Sequence, residues 1–392
     1  MSSNQETIEY RTPPVETKLP AVGTTIFTVM STLATERGAV NLGQGFPDFD
    51  CDPRLVNSVT DAMTRGLNQY PPMTGVPTLR AAVAAKIEAL YGHSYDPATE
   101  ITITAGATQA IITAILAVVR PGDEVIVLEP CYDSYIPNIE LAGGTPVRVP
   151  LVPGTFRPDF DKIGAAINSR TRAILVNSPH NPSATVWTRE EMLKLQDLLA
   201  PTDIFLISDE VYEHMVFDGE EHQSVARFPA LAARAFIVSS FGKTYHVTGW
   251  KVGYVAAPAP LTTEFRKVHQ FNVFTVNTPV QHGLANFMTD PQPHLQLPAF
   301  YQRKRDLFRE GLQRTRFKVL PSEGTYFQCV EISGVSDLKE ADFCKWLTSE
   351  IGVAAIPLSA FYANEFDQRV VRFCFAKREE TLRTALDRLA KL

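Results

Sequence analysis

The residues best suited to chemistry lie in residues 239–254, where a lysine follows an apolar run among small and hydroxyl residues. The apolar run, residues 235–238, predicts a short buried strand, which places Lys243 on the loop at the strand's end, facing a site. An amine held there can have a lowered pKa and condense with a carbonyl as a Schiff base. Ser240 and Lys251 add a hydroxyl and a second positive charge, groups that hold a phosphate. An isolated Ser-x-x-Lys is more often a solvated surface loop, so the assignment of a site depends on other stretches of the sequence.

A second stretch, residues 104–110, follows a predicted strand and opens a predicted helix with the sequence Thr-Ala-Gly-Ala-Thr-Gln-Ala. Its backbone N–H groups and the helix dipole favour an anion such as a phosphate. This loop contains neither Gly-x-Gly-x-x-Gly nor Gly-Lys-Ser/Thr. It is therefore neither the dinucleotide fingerprint nor an NTPase loop.

Two further strand ends carry polar side chains. Residues 177–183 hold amide groups between prolines, and residues 207–213 place Asp209 at the end of a buried strand. An unpaired carboxylate there is costly, so Asp209 needs a cationic or protonated-nitrogen partner, unless it only caps a helix. Together these strand ends suit a ligand with a phosphate, an aldehyde, a ring nitrogen and a phenolic oxygen. Pyridoxal 5'-phosphate has all four.

Helical patterns alternate with short apolar runs, which predicts an α/β fold with a doubly wound, largely parallel sheet. Ligands of such sheets bind beyond the carboxyl ends of the strands. The predicted helices span residues 26–35, 53–65, 76–90, 108–119, 189–199 and 298–315. The predicted strands span residues 101–104, 124–128, 145–149, 173–176, 204–207, 235–238, 326–332 and 370–375.

Three regions are expected along the chain. Residues 1–49 form an N-terminal arm, polar and proline-containing over about the first twenty positions, together with part of a small domain. Residues 50–290 form a large cofactor-binding domain, and residues 291–392 a smaller α+β domain that follows a proline-containing break. In the first region, residues 41–49 contain two glycines and a proline, typical of a shaped loop whose backbone can approach a ligand closely.

Composition narrows the class of protein. The chain has 392 residues, 37 basic and 43 acidic, and no block of lysine or arginine that would indicate nucleic acid or an acidic membrane surface. The apolar runs are too short to span a bilayer, and the start of the sequence lacks the features of a signal peptide. Five cysteines without a Cys-x-x-Cys pair predict reduced thiols in a cytoplasmic protein, and the histidines show no metal spacing.

Ordered motifs along nearly the whole chain resemble a known family. They run from Asn-Leu-Gly-Gln-Gly-Phe-Pro through Asn-Gln-Tyr, Thr-Ala-Gly-Ala-Thr-Gln, Pro-His-Asn-Pro, Ser-Asp-Glu-Val-Tyr, Ser-Phe-Gly-Lys-Thr and Gly-Trp-Lys-Val-Gly to Val-Arg-Phe-Cys-Phe-Ala-Lys. The sequence resembles the fold-type I, class I aminotransferases. Within them it is most similar to the branch of bacterial methionine aminotransferase and kynurenine aminotransferase (glutamine transaminase K).

The resemblance implies roles at the cofactor ring. Lys243 would carry pyridoxal 5'-phosphate as a Schiff base and, once released, move the proton between the substrate Cα and the cofactor's C4'. Asp209 would pair with the pyridinium nitrogen. Asn181 and Tyr212 would hydrogen-bond the phenolic oxygen, and Tyr132 would stack on the ring.

The resemblance also implies how the two anionic groups are held. The phosphate would lie among a set of small, hydroxyl and cationic residues, joined by a tyrosine from the partner subunit of a homodimer: Gly106, Ala107, Thr108, Ser240, Lys251 and the partner's Tyr70. Arg372 would bind the substrate α-carboxylate bidentately, helped by the Gly45 backbone and by Asn181.

The substrate side chain is predicted to be apolar. Dicarboxylate-specific relatives use a second arginine from the partner subunit, and no counterpart of it is evident here. Phe27, Phe271 and Phe274 fall instead in the family's specificity segments, although core packing is an equally common role for a phenylalanine. The resemblance thus implies transfer of the amino group of methionine or of an aromatic or hydrophobic L-amino acid to a 2-oxoacid, with kynurenine and glutamine as further donors.

The sequence differs from the family pattern at two places, and two other functions are compatible with the motifs. Residues 181–184 are Asn-Pro-Ser-Ala where many relatives have Asn-Pro-Thr-Gly, which would alter the following turn, and Lys251 stands where the wider family often has arginine. A carbon–sulfur β-lyase of the cysteine-conjugate type would share the cofactor residues. A transcription regulator with an aminotransferase-like domain would carry an N-terminal DNA-binding domain, whereas about 40 residues precede the first motif here.

Overall fold

A computed structural model describes residues 12–392. Residues 1–11, which begin the expected N-terminal arm, lie outside the described part. The helices are α1 Ile26–Arg37, α2 Pro53–Thr64, α3 Pro77–Tyr91, α4 Gly106–Val118, α5 Tyr135–Leu141, α6 Phe160–Ala166, α7 Arg189–Leu199, α8 Pro229–Ala232, α9 Phe241–Thr244, α10 Ala259–Asn272, α11 Thr278–Phe287, α12 Gln292–Leu295, α13 Leu297–Leu312, α14 Glu340–Trp346 and α15 Glu379–Leu389. The strands are β1 Val40–Asn41, β2 Ile101–Thr104, β3 Glu124–Glu129, β4 Thr145–Pro150, β5 Thr171–Asn177, β6 Phe205–Asp209, β7 Ala235–Ser240, β8 Gly253–Ala256, β9 Lys318–Val319, β10 Phe327–Glu331, β11 Val353–Ala354, β12 Ile356–Pro357 and β13 Val370–Cys374.

A seven-stranded sheet forms the centre of the molecule and confirms the predicted α/β class. Its strand order is β2-β8-β7-β6-β5-β3-β4, in which β8 runs antiparallel to both neighbours and the other paired strands are parallel. Alternate residues of the central strands enter separate apolar clusters, for example Ile174 and Leu206 in one and Leu175 and Ile207 in the other. Because both faces are covered, the central strands are apolar almost throughout.

Two smaller sheets are built from the two ends of the chain. Strands β12, β13, β10 and β9 form an antiparallel sheet in which Cys329 pairs with Arg372. The short β1 pairs in parallel with β11, so that Val40 lies opposite Val353. This pairing brings the glycine loop after β1 close to the strand that carries Arg372.

Local signals explain several boundaries. Helix α7 begins with a capping box, in which the Thr188 hydroxyl accepts from the Glu191 N–H and the Glu191 carboxylate accepts from the Thr188 N–H. Helix α1 ends at Gly38, whose φ of 58° lies in the left-handed region that favours glycine. Within residues 12–392, no helix combines the length and the apolar character needed to cross a bilayer.

Candidate active site

The carboxyl ends of β5, β6 and β7 and the start of α4 meet around a cavity of about 270 Å³. The sequence-predicted residues on its wall are Phe27, Gly45, Gly106, Ala107, Thr108, Tyr132, Asn181, Asp209, Tyr212, Ser240, Lys243, Lys251 and Arg372. The large sheet, the glycine loop after β1 and the antiparallel sheet all contribute to this wall. One cavity therefore collects residues that are more than 300 positions apart in the sequence.

Lys243 lies in the short helix α9 directly after β7, rather than on a loop as the sequence predicted. Its Nζ donates to the hydroxyl of Tyr326 at 2.7 Å and to the carbonyl of Gly45 at 3.1 Å. Burial lowers the pKa of this amine to about 8, because the charged form loses its hydration. At pH 7 about a tenth of the amine is therefore neutral, and so nucleophilic and basic, which is a far larger share than for an ordinary lysine.

Asp209 ends β6 and is buried at 4 % exposure. Its Oδ2 accepts from the Tyr135 hydroxyl at 2.6 Å and its Oδ1 from the Val211 N–H at 3.3 Å. The sequence predicted a cationic or protonated-nitrogen partner, and within the described chain the carboxylate contacts neutral donors only. Burial consequently raises its pKa to about 6. A protonated ring nitrogen placed against this carboxylate would supply the missing charge.

Arg372 lies on β13 with 1 % exposure and no carboxylate among its hydrogen-bond partners in the described chain. Its Nη1 donates to Asn181 Oδ1 at 2.5 Å and its Nη2 to the Gly43 carbonyl at 3.3 Å, while Nε has no partner among residues 12–392. A buried guanidinium with an unpaired N–H is costly unless a ligand anion completes it. Because Arg372 lines the cavity, a substrate carboxylate suits this position.

The opposite end of the cavity is shaped for an anion. Gly106, with φ of 77°, opens α4, and a Cβ built on it would lie 3.4 Å from Lys251 Nζ. Ala107, Thr108 and Ser240 line the same region. The free N–H groups at the start of a thirteen-residue helix, together with a lysine and two hydroxyls, match the needs of a phosphate.

Aromatic rings and amides enclose the space between these two ends. Tyr212 and Tyr132 both lie on the wall, and burial raises the pKa of each phenol. Phe27 packs edge-on against Phe361 with ring centroids 5.9 Å apart. Asn177, at the end of β5, accepts from the Asn181 N–H at 2.8 Å and thereby fixes the loop that carries Asn181.

Tyr70, Phe271 and Phe274 do not reach this cavity within the chain. Tyr70 is 82 % exposed and packs on Phe274 with ring centroids 5.4 Å apart, and Phe271 is 91 % exposed. Their predicted roles depend on a partner subunit and stay predictions.

Sequence reasoning missed two tyrosines that contact the predicted residues. Tyr135 donates to Asp209, and Tyr326 lies between Lys243 and the glycine loop. The signal that could have found them is weak, because each is a single tyrosine beside a motif and its partner is distant in sequence.

The wall as a whole fits pyridoxal 5'-phosphate. An anion cradle, a poised lysine and a buried carboxylate without a cation lie around one space, as the phosphate, the aldehyde and the ring nitrogen require. The unpaired Nε of Arg372 leaves a place for the carboxylate of an amino acid.

Enzymes that transfer amino groups on the aspartate aminotransferase fold share this architecture, and comparisons with known proteins agree. The chain belongs to the aminotransferase class I and II family, whose profile matches residues 37–389. It is accordingly a pyridoxal-phosphate-dependent transaminase, which acts on amino acids and 2-oxoacids.

Named relatives cover almost the whole chain. Methionine aminotransferase of Escherichia coli is 52% identical over 378 residues, which span 96% of this chain and 98% of the relative. Kynurenine–oxoglutarate transaminase 1 of Homo sapiens is 36% identical, spanning 92% and 93%. The crystal structure of YbdL from Escherichia coli, described with a methionine aminotransferase function, has a TM-score of 0.96 at 52% identity, covering 97% of this chain and 100% of that one. N-succinyldiaminopimelate aminotransferase of Mycobacterium tuberculosis has a TM-score of 0.92 at 40% identity, covering 96% and 100%.

Proposed function

We propose that this transaminase takes its amino group from methionine or from an aromatic or hydrophobic L-amino acid and gives it to a 2-oxoacid. The observation that carries the proposal is the composition of the cavity wall. Among the described residues on the wall, Arg372 is the only arginine, and Phe27, Phe46 and Phe327 provide apolar surface. One buried guanidinium serves the α-carboxylate, so a second carboxylate on the side chain would find no bidentate partner from this chain.

The names of the relatives support the same donors. Proteins described as methionine and kynurenine aminotransferases are similar to the chain over more than nine-tenths of its length. None of the relatives named above is a lyase, so the β-lyase alternative gains no support from them.

The proposed roles follow from the positions on the wall. When bound, pyridoxal 5'-phosphate supplies an electron sink for the substrate Cα. Gly106, Ala107, Thr108, Ser240 and Lys251 would hold its phosphate, and Asp209 would keep its ring nitrogen protonated. Asn181 and Tyr212 would bind its phenolic oxygen, and Tyr132 its ring face. Lys243 would be the attachment point and the group that moves a proton at Cα.

A donor panel tests the proposal. Methionine, phenylalanine, tyrosine, kynurenine, glutamine, aspartate, glutamate and N-succinyldiaminopimelate would each be assayed against several 2-oxoacids. Aspartate and glutamate should show kcat/KM values lower than methionine by about tenfold to a hundredfold, equivalent to roughly 1.4 to 3 kcal/mol of transition-state binding. If aspartate were the best donor, the apolar pocket and the assignment to this branch would both be abandoned. Release of pyruvate and a thiol from a cysteine conjugate would instead favour the lyase.

A matched pair of variants sharpens the test. Phe27→Ala removes a ring from the cavity wall and should lower kcat/KM for phenylalanine by about tenfold, since the ring's packing is worth roughly 1.5 kcal/mol. Phe366→Ala removes a half-exposed ring that packs on Tyr362 away from the wall, and should leave the donor preference unchanged.

A further inference from the structure

Tyr326, which immediately precedes β10, is fully buried, and its hydroxyl lies between two parts of the site. Lys243 Nζ donates to this hydroxyl oxygen at 2.7 Å and to the Gly45 carbonyl at 3.1 Å. The hydroxyl itself donates to the same carbonyl. Because a carbonyl can only accept, the Tyr326 hydroxyl must donate its one hydrogen to the Gly45 carbonyl. Its oxygen then accepts a hydrogen bond from Lys243 Nζ.

Packing fixes the position of this hydroxyl. The Tyr326 ring lies edge-on to Tyr212 and Phe327, with centroids 5.1 and 4.9 Å apart, and 5.8 Å from the ring of Tyr301. Its backbone carbonyl accepts from the Phe375 N–H at 2.9 Å, which anchors it to the strand region that carries Arg372. A ring enclosed in this way keeps its oxygen in one place while the lysine side chain can rotate.

We propose that Tyr326 is a positioning residue for Lys243, whose hydroxyl holds the amine at the Gly45 carbonyl whenever that amine has no covalent partner. The contact keeps the released amine inside the cavity, beside the glycine loop that Arg372 also contacts. The inference rests on the proposed role of Lys243 as attachment point and proton carrier.

The contact also affects the charge of the amine. An oxygen acceptor binds an ammonium more strongly than a neutral amine, so Tyr326 opposes the effect of burial and favours the protonated form. The other titratable groups that face the amine differ in sign and lie on separate elements: Asp209, Tyr212, Lys251, Arg372 and Cys374. Tyr326→Phe leaves all five groups in place, but it removes a hydrogen bond that partly offsets the rise that burial causes in the pKa of Tyr212.

Acetylation of the cofactor-free protein measures this effect without relying on activity. Acetic anhydride reacts with the neutral amine. Peptide mass spectrometry after a short pulse measures the fraction of Lys243 that is acetylated at each pH, and the pH of half-maximal acetylation is the midpoint. Tyr326→Phe should lower this midpoint by about one pH unit, because a hydrogen bond to the charged form is lost. In the cofactor-loaded enzyme, the same variant should lower kcat with the best donor by about tenfold and leave KM within about threefold.

Tyr301→Phe is the matched control. It removes a buried phenolic hydroxyl from a neighbouring ring, and that hydroxyl has no hydrogen-bond partner in the described chain. The control should leave both the midpoint and kcat unchanged. Tyr326→Phe is expected to fold, since the Gly45 carbonyl still accepts from Lys243 after the hydroxyl is gone.

Three results would overturn the proposal: an unchanged midpoint in Tyr326→Phe, an equal shift in Tyr301→Phe, or a shifted midpoint with an unchanged kcat. Failure of the proposed function is seen separately, as a lack of transaminase activity in the wild-type donor panel. In that case the acetylation midpoints still test whether the Tyr326 hydroxyl affects the protonation of Lys243.

Discussion

The buried carboxylate of Asp209 has no cationic hydrogen-bond partner among the described residues. In the cofactor-free protein its pKa is raised to about 6, above the ordinary value near 4, so the folded state holds a proton that the unfolded chain releases. The stability contributed by this group therefore falls as pH rises from about 4 to about 6. Above that range Asp209 is ionised, and the Tyr135 hydroxyl becomes a charge-assisted donor to it.

Tyr135→Phe should thus destabilise the cofactor-free protein more at pH 7.5 than at pH 5. The loss should be about 1 kcal/mol larger at the higher pH, since a hydrogen bond to a charged group is worth more than one to a neutral group. Urea unfolding at the two pH values measures the difference. Tyr95→Phe is the control, because it removes a buried hydroxyl that has no hydrogen-bond partner in the described part of the chain, and it should show no such dependence. A pH-independent loss in Tyr135→Phe would mean that Asp209 is not the titrating partner.

Lys243→Ala should abolish transamination, because the other lysine that the described chain places on the cavity wall, Lys251, lies at the start of α4 beside Gly106. Borohydride reduction of the cofactor-loaded protein, followed by peptide mass spectrometry, should label Lys243 in the wild type and no residue in the variant. Lys251→Ala is the informative comparison, because it removes a charge from the phosphate region and should weaken cofactor binding while leaving the labelled site the same. A label on Lys251 in the wild type would reassign the attachment point.

The sequence predicted individual site residues where a reactive residue type lies within a recognisable motif. A lysine after a strand and a carboxylate at a strand's end carry local signals, and both residues lie on the cavity. Tyr326 was not predictable, because its partners Lys243 and Gly45 are 83 and 281 positions away. Hydrogen bonds over such separations follow from the tertiary fold rather than from any local pattern.

Strand β8 is the strand of the seven-stranded sheet that the sequence did not reveal, and helices such as α10 and α11 were not predicted either. The helices and strands predicted from periodicity are present with boundaries shifted by a few residues, and α7 matches at both ends. Residues 253–256 were not predicted as a strand because they overlap the glycine-containing motif around Lys251. They also run antiparallel within an otherwise parallel sheet. Gly253 matters in that strand because a Cβ there would lie 2.6 Å from the Ser239 carbonyl and 3.1 Å from the backbone of Gly106.

Gly253→Ala should therefore displace the start of α4 and weaken the anion cradle. We expect the affinity for pyridoxal 5'-phosphate to fall by at least about tenfold, about 1.4 kcal/mol, as the helix N–H groups lose their alignment. Fluorescence titration of the cofactor-free protein measures this affinity. Gly249→Ala adds a methyl with no atom within 4 Å and should bind the cofactor like the wild type. Equal affinities in the two variants would show that the cradle tolerates the displacement.

The turn after Asn181 contains the Ser183-Ala184 departure from the family sequence. Ala184, where many relatives have glycine, adopts a φ of 64°, in the left-handed region that disfavours side chains. The turn is nevertheless closed, because the Ala184 N–H donates to the His180 carbonyl at 2.9 Å and its own carbonyl accepts from Glu323 and Gly324. Asn181 keeps its contact with Arg372, so the departure is absorbed within the turn.

We propose that residues 50–290 form a large unit, that residues 291–392 form a small unit, and that residues 1–49 form an N-terminal arm and part of the small unit. We further propose a homodimer with shared sites. The packed and exposed rings of Tyr70 and Phe274, with the exposed Phe271 three residues earlier in the sequence, support this, because large exposed rings are typical of an interface.

Mixed dimers test the sharing of sites. Lys243→Ala and Tyr70→Phe chains, each inactive or strongly impaired alone, should recover about a quarter of wild-type activity after subunit exchange, because random pairing gives half heterodimers with one intact site each. Mixing two differently tagged Lys243→Ala chains is the control and should recover none. A lack of recovery despite exchange would place Tyr70 and Lys243 of the same chain in the same site.

The glycine loop that meets Arg372 has a consequence for how the enzyme is made. The Gly43 carbonyl and Arg372 belong to opposite ends of the chain, separated by 329 positions, and β1 must wait for β11 before it can pair. During synthesis, the large sheet can begin to fold while the amino-terminal loop still lacks its partner strand. A growing chain on the ribosome thus has no complete carboxylate pocket, and the enzyme acquires its substrate site only as one of the last events of its biosynthesis.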